Sequence, residues 1–126
     1  MSDRETFFPN DRPILVYEAR RPSVDRFDDP DGVPAQPSNV ELRIFNGTTG
    51  EMVEVDGETV INNGSVGSYL FKSNMDPDQD RGALIYVSIP GEVADVPGNY
   101  TLYITTVYGD GLRITHDQKL QISEYR

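Results

Sequence analysis

The 126-residue chain contains no cysteine and no tryptophan, and His116 is its single histidine. The lack of cysteine excludes disulfide bonds, thiolate metal sites and thiol nucleophiles. With one histidine, a catalytic triad can be built only around His116, and an all-histidine zinc site cannot form. His116 is followed by Asp117 and Gln118, which indicates a solvated strand position. The sequence therefore predicts a protein that is not an enzyme.

Basic residues are also scarce, because 11 Lys and Arg stand against 21 Asp and Glu and give a net charge of −10 at pH 7. Such a charge opposes binding to phosphate backbones and anionic lipid, so we expect neither nucleic acid nor a membrane as a partner. Lys72 and Lys119 are the only lysines. This acidic, lysine-poor composition is typical either of adaptation to high salt (a halophilic protein) or of a high-GC genome.

The apolar residues recur with a period of two, and no segment shows the 3.6-residue period of a helix. Val40, Leu42 and Ile44 alternate with Glu41 and Arg43, which predicts a strand with one buried face. One domain of seven or eight short strands fits this length, and a two-sheet sandwich fits the turn spacing better than a barrel. The predicted fold class is therefore all-β.

Further strands are predicted at 14–20, 52–55, 59–61, 66–72 and 83–90, the last of them buried on both faces. The proline-rich segment 21–39 is predicted to be a long loop with a short edge strand at most. Residues 1–12 are predicted to be an extended arm before a domain at 13–126. A final hairpin joins 100–108 to 112–122, and a bulge or strand end is expected near His116, because alternation otherwise places that histidine on the buried side.

The segment 95–102 resembles the start of strand F in immunoglobulin-like domains. Asp95, Gly98 and Tyr100 stand at the aspartate, glycine and tyrosine of that signature, with one extra residue between the first two. The resemblance implies a structural corner in which the Tyr100 hydroxyl bonds back to the backbone. Leu102 stands where antibody domains carry a cysteine, so apolar packing replaces the disulfide. The resemblance implies an immunoglobulin-like β-sandwich.

Turn and strand signals follow one another in a characteristic order from about residue 14 to residue 122. They include the acidic, proline-rich segment 28–37, the turn at 97–100 and the hairpin turn at 109–111. This order resembles the order found in the small immunoglobulin-like virion proteins of tailed phages and archaeal viruses, including the N-terminal module of baseplate upper proteins. The resemblance implies a non-enzymatic structural subunit in the virion, as capsid decoration, neck or baseplate. Its partners would be other virion proteins, in an oligomeric assembly.

Two sets of residues are candidates for such an interface. Phe7 and Phe8 lie on an otherwise polar arm, which suggests that the arm docks on a neighbouring subunit. Tyr103 and Val107 point outward if Leu102 faces the core, and apolar side chains on an outer sheet face usually imply a partner.

An acidic loop tip carries alternating aspartates at Asp76, Asp78 and Asp80, a spacing that suits oxygen ligation of Ca²⁺. The EF-hand pattern fails, because Arg81 and Val87 occupy the positions of its glycine and glutamate. We therefore expect a solvated tip and no cofactor. The alternative function is a secreted or displayed module that binds a glycan or receptor, with Ca²⁺ at this tip.

Two other groups of residues are singled out by the sequence. The cluster Asp28, Asp29 and Asp31 is interpreted as an Asx-type turn. Glycosylation sequons begin at Asn46, Asn63 and Asn99.

Overall fold

The computed structural model describes residues 4–7, 14–22, 32–64 and 70–123. These residues form ten strands: β1 (Arg4–Phe7), β2 (Ile14–Glu18), β3 (Arg20–Arg21), β4 (Val33–Pro34), β5 (Asn39–Asn46), β6 (Ile61–Asn62), β7 (Leu70–Lys72), β8 (Leu84–Ser88), β9 (Gly98–Val107) and β10 (Arg113–Ile122). One turn of 3-10 helix covers Pro77–Gln79, and a short helix, α1, covers Gly91–Ala94. No helix in the described part of the chain is long and apolar enough to span a membrane.

The strands form two main sheets. The large sheet has the order β1-β10-β9-β5-β6 and the small sheet has the order β2-β8-β7, while β3 and β4 pair separately. The core lies between the two sheets and includes Leu42 and Ile104 from the large sheet and Ile85 and Val87 from the small one, all at most 1% exposed. The all-β, immunoglobulin-like sandwich predicted from the sequence is confirmed, and β5 buries the alternating residues that were expected to face inward.

The predicted corner before β9 is present. The Tyr100 hydroxyl donates a hydrogen bond to the Val96 carbonyl oxygen at 2.9 Å, and burial raises the pKa of Tyr100. Gly98 has a φ of +151°, a backbone region restricted essentially to glycine. Asp95 ends α1 through its backbone N–H, which donates to the Gly91 carbonyl oxygen at 3.1 Å. The corner thus ties the connection from α1 to the first residues of β9.

The arm predicted at residues 1–12 is corrected over the part that the structure describes. Arg4–Phe7 forms β1 and pairs in parallel with Lys119–Ile122 of the same chain. Phe7 is partly buried and packs against the core of its own domain. The expectation that Phe7 docks on a neighbouring subunit is therefore wrong. Phe8 lies outside the described residues. A parallel pairing across more than a hundred positions has no local sequence signal, which is why the prediction failed here.

The bulge expected near His116 is also absent. Arg113–Ile122 pairs with Val107–Gly98 without interruption. His116 and Gln118 therefore share a side with the buried Leu120, but His116 is exposed. The conflict in the alternation is resolved differently, because the strand stays regular and His116 is exposed at the rim of an open depression.

Four other strand predictions have mixed outcomes. β8 is buried on one face only, with Leu84 and Tyr86 half-exposed. The strand expected at 52–55 is reduced to a single bridge between Met52 and Phe45. The short edge strand expected within 21–39 is present as β4. Of the strand expected at 66–72, only β7 lies among the described residues.

A junction of small residues joins the small sheet to the β3–β4 pair. The Ala19 N–H donates to the Ala83 oxygen at 2.9 Å, the Ala35 N–H to the Ala19 oxygen at 3.1 Å, and the Ala83 N–H to the Ala35 oxygen at 3.0 Å. A Cβ atom added to Gly82 would lie 1.7 Å from the Ala19 oxygen. Three backbone segments therefore meet at a point where only glycine fits.

Candidate interaction surface

The outer face of the large sheet carries three rows of aligned side chains from β5, β9 and β10. The register places Arg43 beside Tyr103 and Tyr103 beside Asp117, with Glu41, Thr105 and Thr115 in the next row. We call the following set the Tyr103 face: Glu41, Arg43, Phe45, Tyr103, Thr105, Arg113 and Thr115. Tyr103 is on the middle strand of the three, so it lies at the centre of this surface.

An aromatic pair holds Tyr103 in position. The rings of Phe45 and Tyr103 meet edge to face, with centroids 5.4 Å apart and an interplanar angle of 89°. This geometry is the favoured one for aromatic side chains and contributes about 0.5–1.5 kcal/mol. Tyr103 is nevertheless 36% exposed. The ring is therefore both fixed and accessible.

A charged triplet lies beside the aromatic pair. The Glu41 carboxylate accepts a hydrogen bond from Arg113 at 2.6 Å. It also forms an ion pair with Arg43 at 3.2 Å. The hydrogen bond from Arg113, followed by the charges of Arg113 and Arg43, holds the pKa of Glu41 below its ordinary range. Two guanidinium groups share the Glu41 carboxylate, and Asp117, which lies beside Tyr103 in the register, adds a second carboxylate to the same face.

A threonine pair forms the floor of the surface. The Oγ1 atoms of Thr105 and Thr115 are 2.9 Å apart and hydrogen-bonded, and Thr105 is only 3% exposed although it points outward. Arg43, Phe45 and Tyr103 join these threonines around an open depression of about 310 Å³. The arrangement offers an apolar contact next to a guanidinium, which suits binding.

Val107, which was predicted together with Tyr103 as an interface residue, lies on the same outer face at the end of β9. It is half-buried, and its carbonyl oxygen accepts hydrogen bonds from the Ser38 backbone N–H at 2.7 Å and the Ser38 hydroxyl at 3.0 Å. The structure therefore places both predicted residues on one face, but Val107 does not line the depression. Sequence reasoning missed Phe45, although its alternation with Ile44 already places it on the outer side.

The alternating aspartates at 76–80 do not come together. Pro77–Gln79 forms a turn of 3-10 helix, and three residues per turn point side chains two positions apart in different directions. The Asp80 carboxylate is 3.1 Å from the Arg20 guanidinium. No group of three His, Cys, Asp or Glu within the described ranges could hold a metal ion. The calcium-dependent alternative is therefore not supported at this tip, and Asp28, Asp29 and Asp31 lie outside the described residues.

A second open depression, of about 430 Å³, includes Arg20, Arg21 and His116 in its lining. Its two arginines are engaged in contacts within the fold. Arg20 lies 2.6 Å from Glu18, and Arg21 lies 2.6 Å from Asp110 and covers the Tyr108 ring at 5.0 Å. These guanidiniums tie β3 to its neighbours.

Among the described residues, the three carboxyl groups with a shifted pKa all titrate lower than usual. Side-chain hydrogen bonds from arginine lower the pKa of Glu18, Glu41 and Asp110. A general acid requires the opposite, a carboxyl whose pKa is raised by burial. The electrostatics of these groups therefore suit structural ion pairs.

No family model and no curated protein matches this chain. Among solved structures, the chain is similar to CopC from Methylosinus trichosporium OB3b, with 12% sequence identity and a TM-score of 0.48. The similarity covers 99% of this chain and 86% of that one. At this level of similarity, no ligand or activity transfers to the present chain.

These comparisons correct the functional expectation drawn from the sequence. The structural match gives no support to a virion structural role, and no matching family or curated protein supports such a role. The order of turn signals that suggested a virion protein is common to small immunoglobulin-like sandwiches, because the same turns recur wherever short antiparallel strands are joined. The virion assignment is therefore wrong and is withdrawn.

Proposed function

We propose that the protein is a non-enzymatic recognition module that binds a partner protein through the Tyr103 face. The observation that carries this proposal is the exposed Tyr103 ring, fixed against Phe45 and placed beside Arg43. Tyrosine and arginine are the residues that most often dominate the energetics of protein interfaces, and they do so near the centre of the contact.

The rigidity of the surface supports the proposal. Binding costs free energy when side chains become ordered, at about 0.5–1.5 kcal/mol for each mobile one. Tyr103 is already held by an edge-to-face contact, and Glu41 already holds Arg43 and Arg113. A partner therefore meets a surface whose main contact groups are ordered before it arrives.

The charge of the surface indicates the chemistry of the partner. Two guanidiniums share the Glu41 carboxylate, and the Arg43 side chain is 32% exposed, so a partner group can reach Arg43, while Asp117 on the same face balances the second positive charge. The matching partner surface carries a carboxylate that pairs with Arg43, next to an apolar side chain that enters the depression beside Tyr103. The depression is open to solvent and lined by five residues, whereas small-molecule sites usually enclose most of their ligand.

The downward pKa shifts of Glu18, Glu41 and Asp110 support a binding role over a catalytic one. Each of these carboxylates is held ionised by an arginine, which favours fixed charge over proton transfer.

The test is capture of a binding partner by the immobilised protein and by two variants, Tyr103→Ala and Arg43→Ala. The captured protein is identified, purified and titrated against each variant by calorimetry. We expect Tyr103→Ala to weaken binding by about thirtyfold, the effect of losing a contact of about 2 kcal/mol. Binding by the wild type should also weaken as salt rises, because an ion pair contributes to it.

The matched control is Met75→Ala, since Met75 is 38% exposed and Tyr103 36%. This variant should bind as the wild type does. A captured protein whose affinity is unchanged by both Tyr103→Ala and Arg43→Ala contradicts the proposal. Capture of a polysaccharide in place of a protein, lost on Tyr103→Ala, also contradicts it and assigns the face to carbohydrate recognition.

A further inference from the structure

β2 is an edge strand of the small sheet. Within the described residues, β2 pairs with β8 alone. The bond from the Ala19 N–H to the Ala83 oxygen continues the β2–β8 register and fixes which residues bond to β8. In an antiparallel pair the hydrogen-bonded positions alternate, so the backbone groups of Leu15 and Tyr17 form hydrogen bonds with β8. The backbone groups of Ile14 and Val16 point away from β8, to the side where no described strand pairs with β2.

The side chains on this edge are apolar and exposed. Ile14 is 58% exposed and Val16 is 53% exposed, the two highest values among the large apolar side chains of the described chain. Val16 lies beside Tyr86 in the register, so an apolar row runs from the edge onto the middle strand. Natural proteins usually protect such edges with charge, proline or a bulge, because an open apolar strand pairs readily with another strand.

The distribution of charge indicates which strand can pair with it. Two copies of a chain with a net charge of −10 repel each other over most of their surfaces. Residues 14–17 carry no charge, and the charge of Glu18 at the end of the strand is partly balanced by Arg20 at 2.6 Å, which also contacts Asp80. The β2 edge is therefore a place where two copies can approach with little repulsion.

We propose that the chain associates with a second copy of itself by antiparallel pairing of the two β2 strands, with Val16 opposite Val16 of the second copy. Because the outward backbone groups belong to Ile14, Val16 and Glu18, this register makes hydrogen bonds at each of these positions. It places Ile14 opposite Glu18 of the second copy and joins the two apolar rows through the valines. The two small sheets then form one continuous sheet across the dimer.

The pairing has a defined end within the fold. The Ala19 oxygen already accepts a hydrogen bond from the Ala35 N–H at 3.1 Å, so the open edge stops where the β3–β4 pair begins. The Tyr103 face belongs to the other sheet and remains accessible in the dimer. Dimerisation through β2 is therefore independent of partner binding at the Tyr103 face, and the experiments can contradict one without contradicting the other.

The test is sedimentation equilibrium over a range of protein concentrations, with Val16→Asp and Val16→Lys made separately. The wild type should dimerise, and more tightly at high salt, because salt screens the repulsion between two acidic chains. Each variant places like charges opposite each other across the two-fold axis and should weaken dimerisation by about tenfold or more. A mixture of the two variants should restore association, because an aspartate then faces a lysine.

The register is tested by residue 14. Ile14→Asp should weaken dimerisation because it faces Glu18 of the second copy, whereas Ile14→Lys should preserve it. Val96→Asp is the matched control, since Val96 is 49% exposed and lies outside the strands, and it should dimerise as the wild type does. Circular dichroism and thermal melting confirm that each variant is folded.

Three results would overturn the proposal. The first is a wild type that stays monomeric at every concentration and salt level. The second is a dimer that survives Val16→Asp in a folded protein, which places the contact elsewhere. The third is a mixture of Val16→Asp and Val16→Lys that associates no better than either alone, which excludes the two-fold pairing.

Discussion

The outer faces of the two sheets differ in almost every physical property. On the large sheet, Glu41 holds Arg43 and Arg113, and Phe45 holds Tyr103, so the outward side chains are fixed by one another. On the small sheet, Ile14 and Val16 are apolar and more than half exposed. The difference suggests two kinds of contact, in which the first face recognises specific side chains and the second pairs through its backbone.

The largest expected effect concerns the junction that supports one end of the small sheet. Gly82→Ala places a Cβ atom against the Ala19 oxygen, which is backbone and cannot move without breaking the junction. We expect a loss of about 3 kcal/mol or more in the free energy of unfolding, measured by urea denaturation. Such a loss would show that the stability of the domain depends on the close approach of Gly82 to the Ala19 oxygen.

Gly109→Ala is the control for that experiment, because no atom lies within 4 Å of the Cβ position at Gly109. It should change stability by less than about 0.5 kcal/mol. Equal stabilities for the two variants would show that the junction is looser than the geometry indicates.

A smaller effect is expected on the side of the large sheet. Tyr100→Phe removes the hydroxyl that donates to the Val96 oxygen at 2.9 Å, and we expect it to lower the free energy of unfolding by about 1–1.5 kcal/mol. Tyr103→Phe, three positions along the same strand, removes a hydroxyl from the outer surface. In urea denaturation it should cost less than about 0.5 kcal/mol. A reversed order would mean that the corner contributes less than the outer face.

The smallest expected effect concerns the charged triplet of Glu41, Arg43 and Arg113. It shows whether the triplet stabilises the fold or mainly orients its arginines. Glu41→Gln should lower the free energy of unfolding at neutral pH by about 0.5–1 kcal/mol, because both arginines are partly exposed. The pKa of Glu41 in the folded protein lies below its ordinary value of 4.5. The carboxylate therefore stabilises the fold above pH 4.5, and its contribution is lost as the pH falls through the lower, folded value.

Thermal melts of the wild type and Glu41→Gln over a pH series check this prediction. The difference in melting temperature should be constant at neutral pH and should shrink in acid. The other carboxylates with lowered pKa, Glu18 and Asp110, remain in the variant and keep part of the acid sensitivity. A difference that grows in acid would contradict the assignment of the charge at Glu41.

Local patterns in the sequence predicted the parts of the fold that depend on neighbouring residues. The alternation at 40–44 predicted the buried side of β5, and the segment around Tyr100 predicted the corner. The orientation of Tyr103 followed from the inward position of Leu102. In each case the deciding contact lies within a few residues, or one face of one strand decides it.

The parts that could not be predicted join residues far apart in the chain. The pairing of β1 with β10 and the contact between Arg20 and Asp80 each link distant segments. The alignment of Arg43 with Tyr103 depends on the register between β5 and β9. None of these features leaves a periodic signal within a single segment.

The parallel pairing of the first and last described strands has a mechanical consequence. Arg4 lies beside Lys119 and Phe7 beside Ile122, so the chain leaves this pair in opposite directions at its two ends. A tensile force applied through residues 4 and 122 slides the two strands past each other and loads their hydrogen bonds simultaneously in shear. The sandwich therefore resists stretching along this axis far better than it would if the bonds opened one after another.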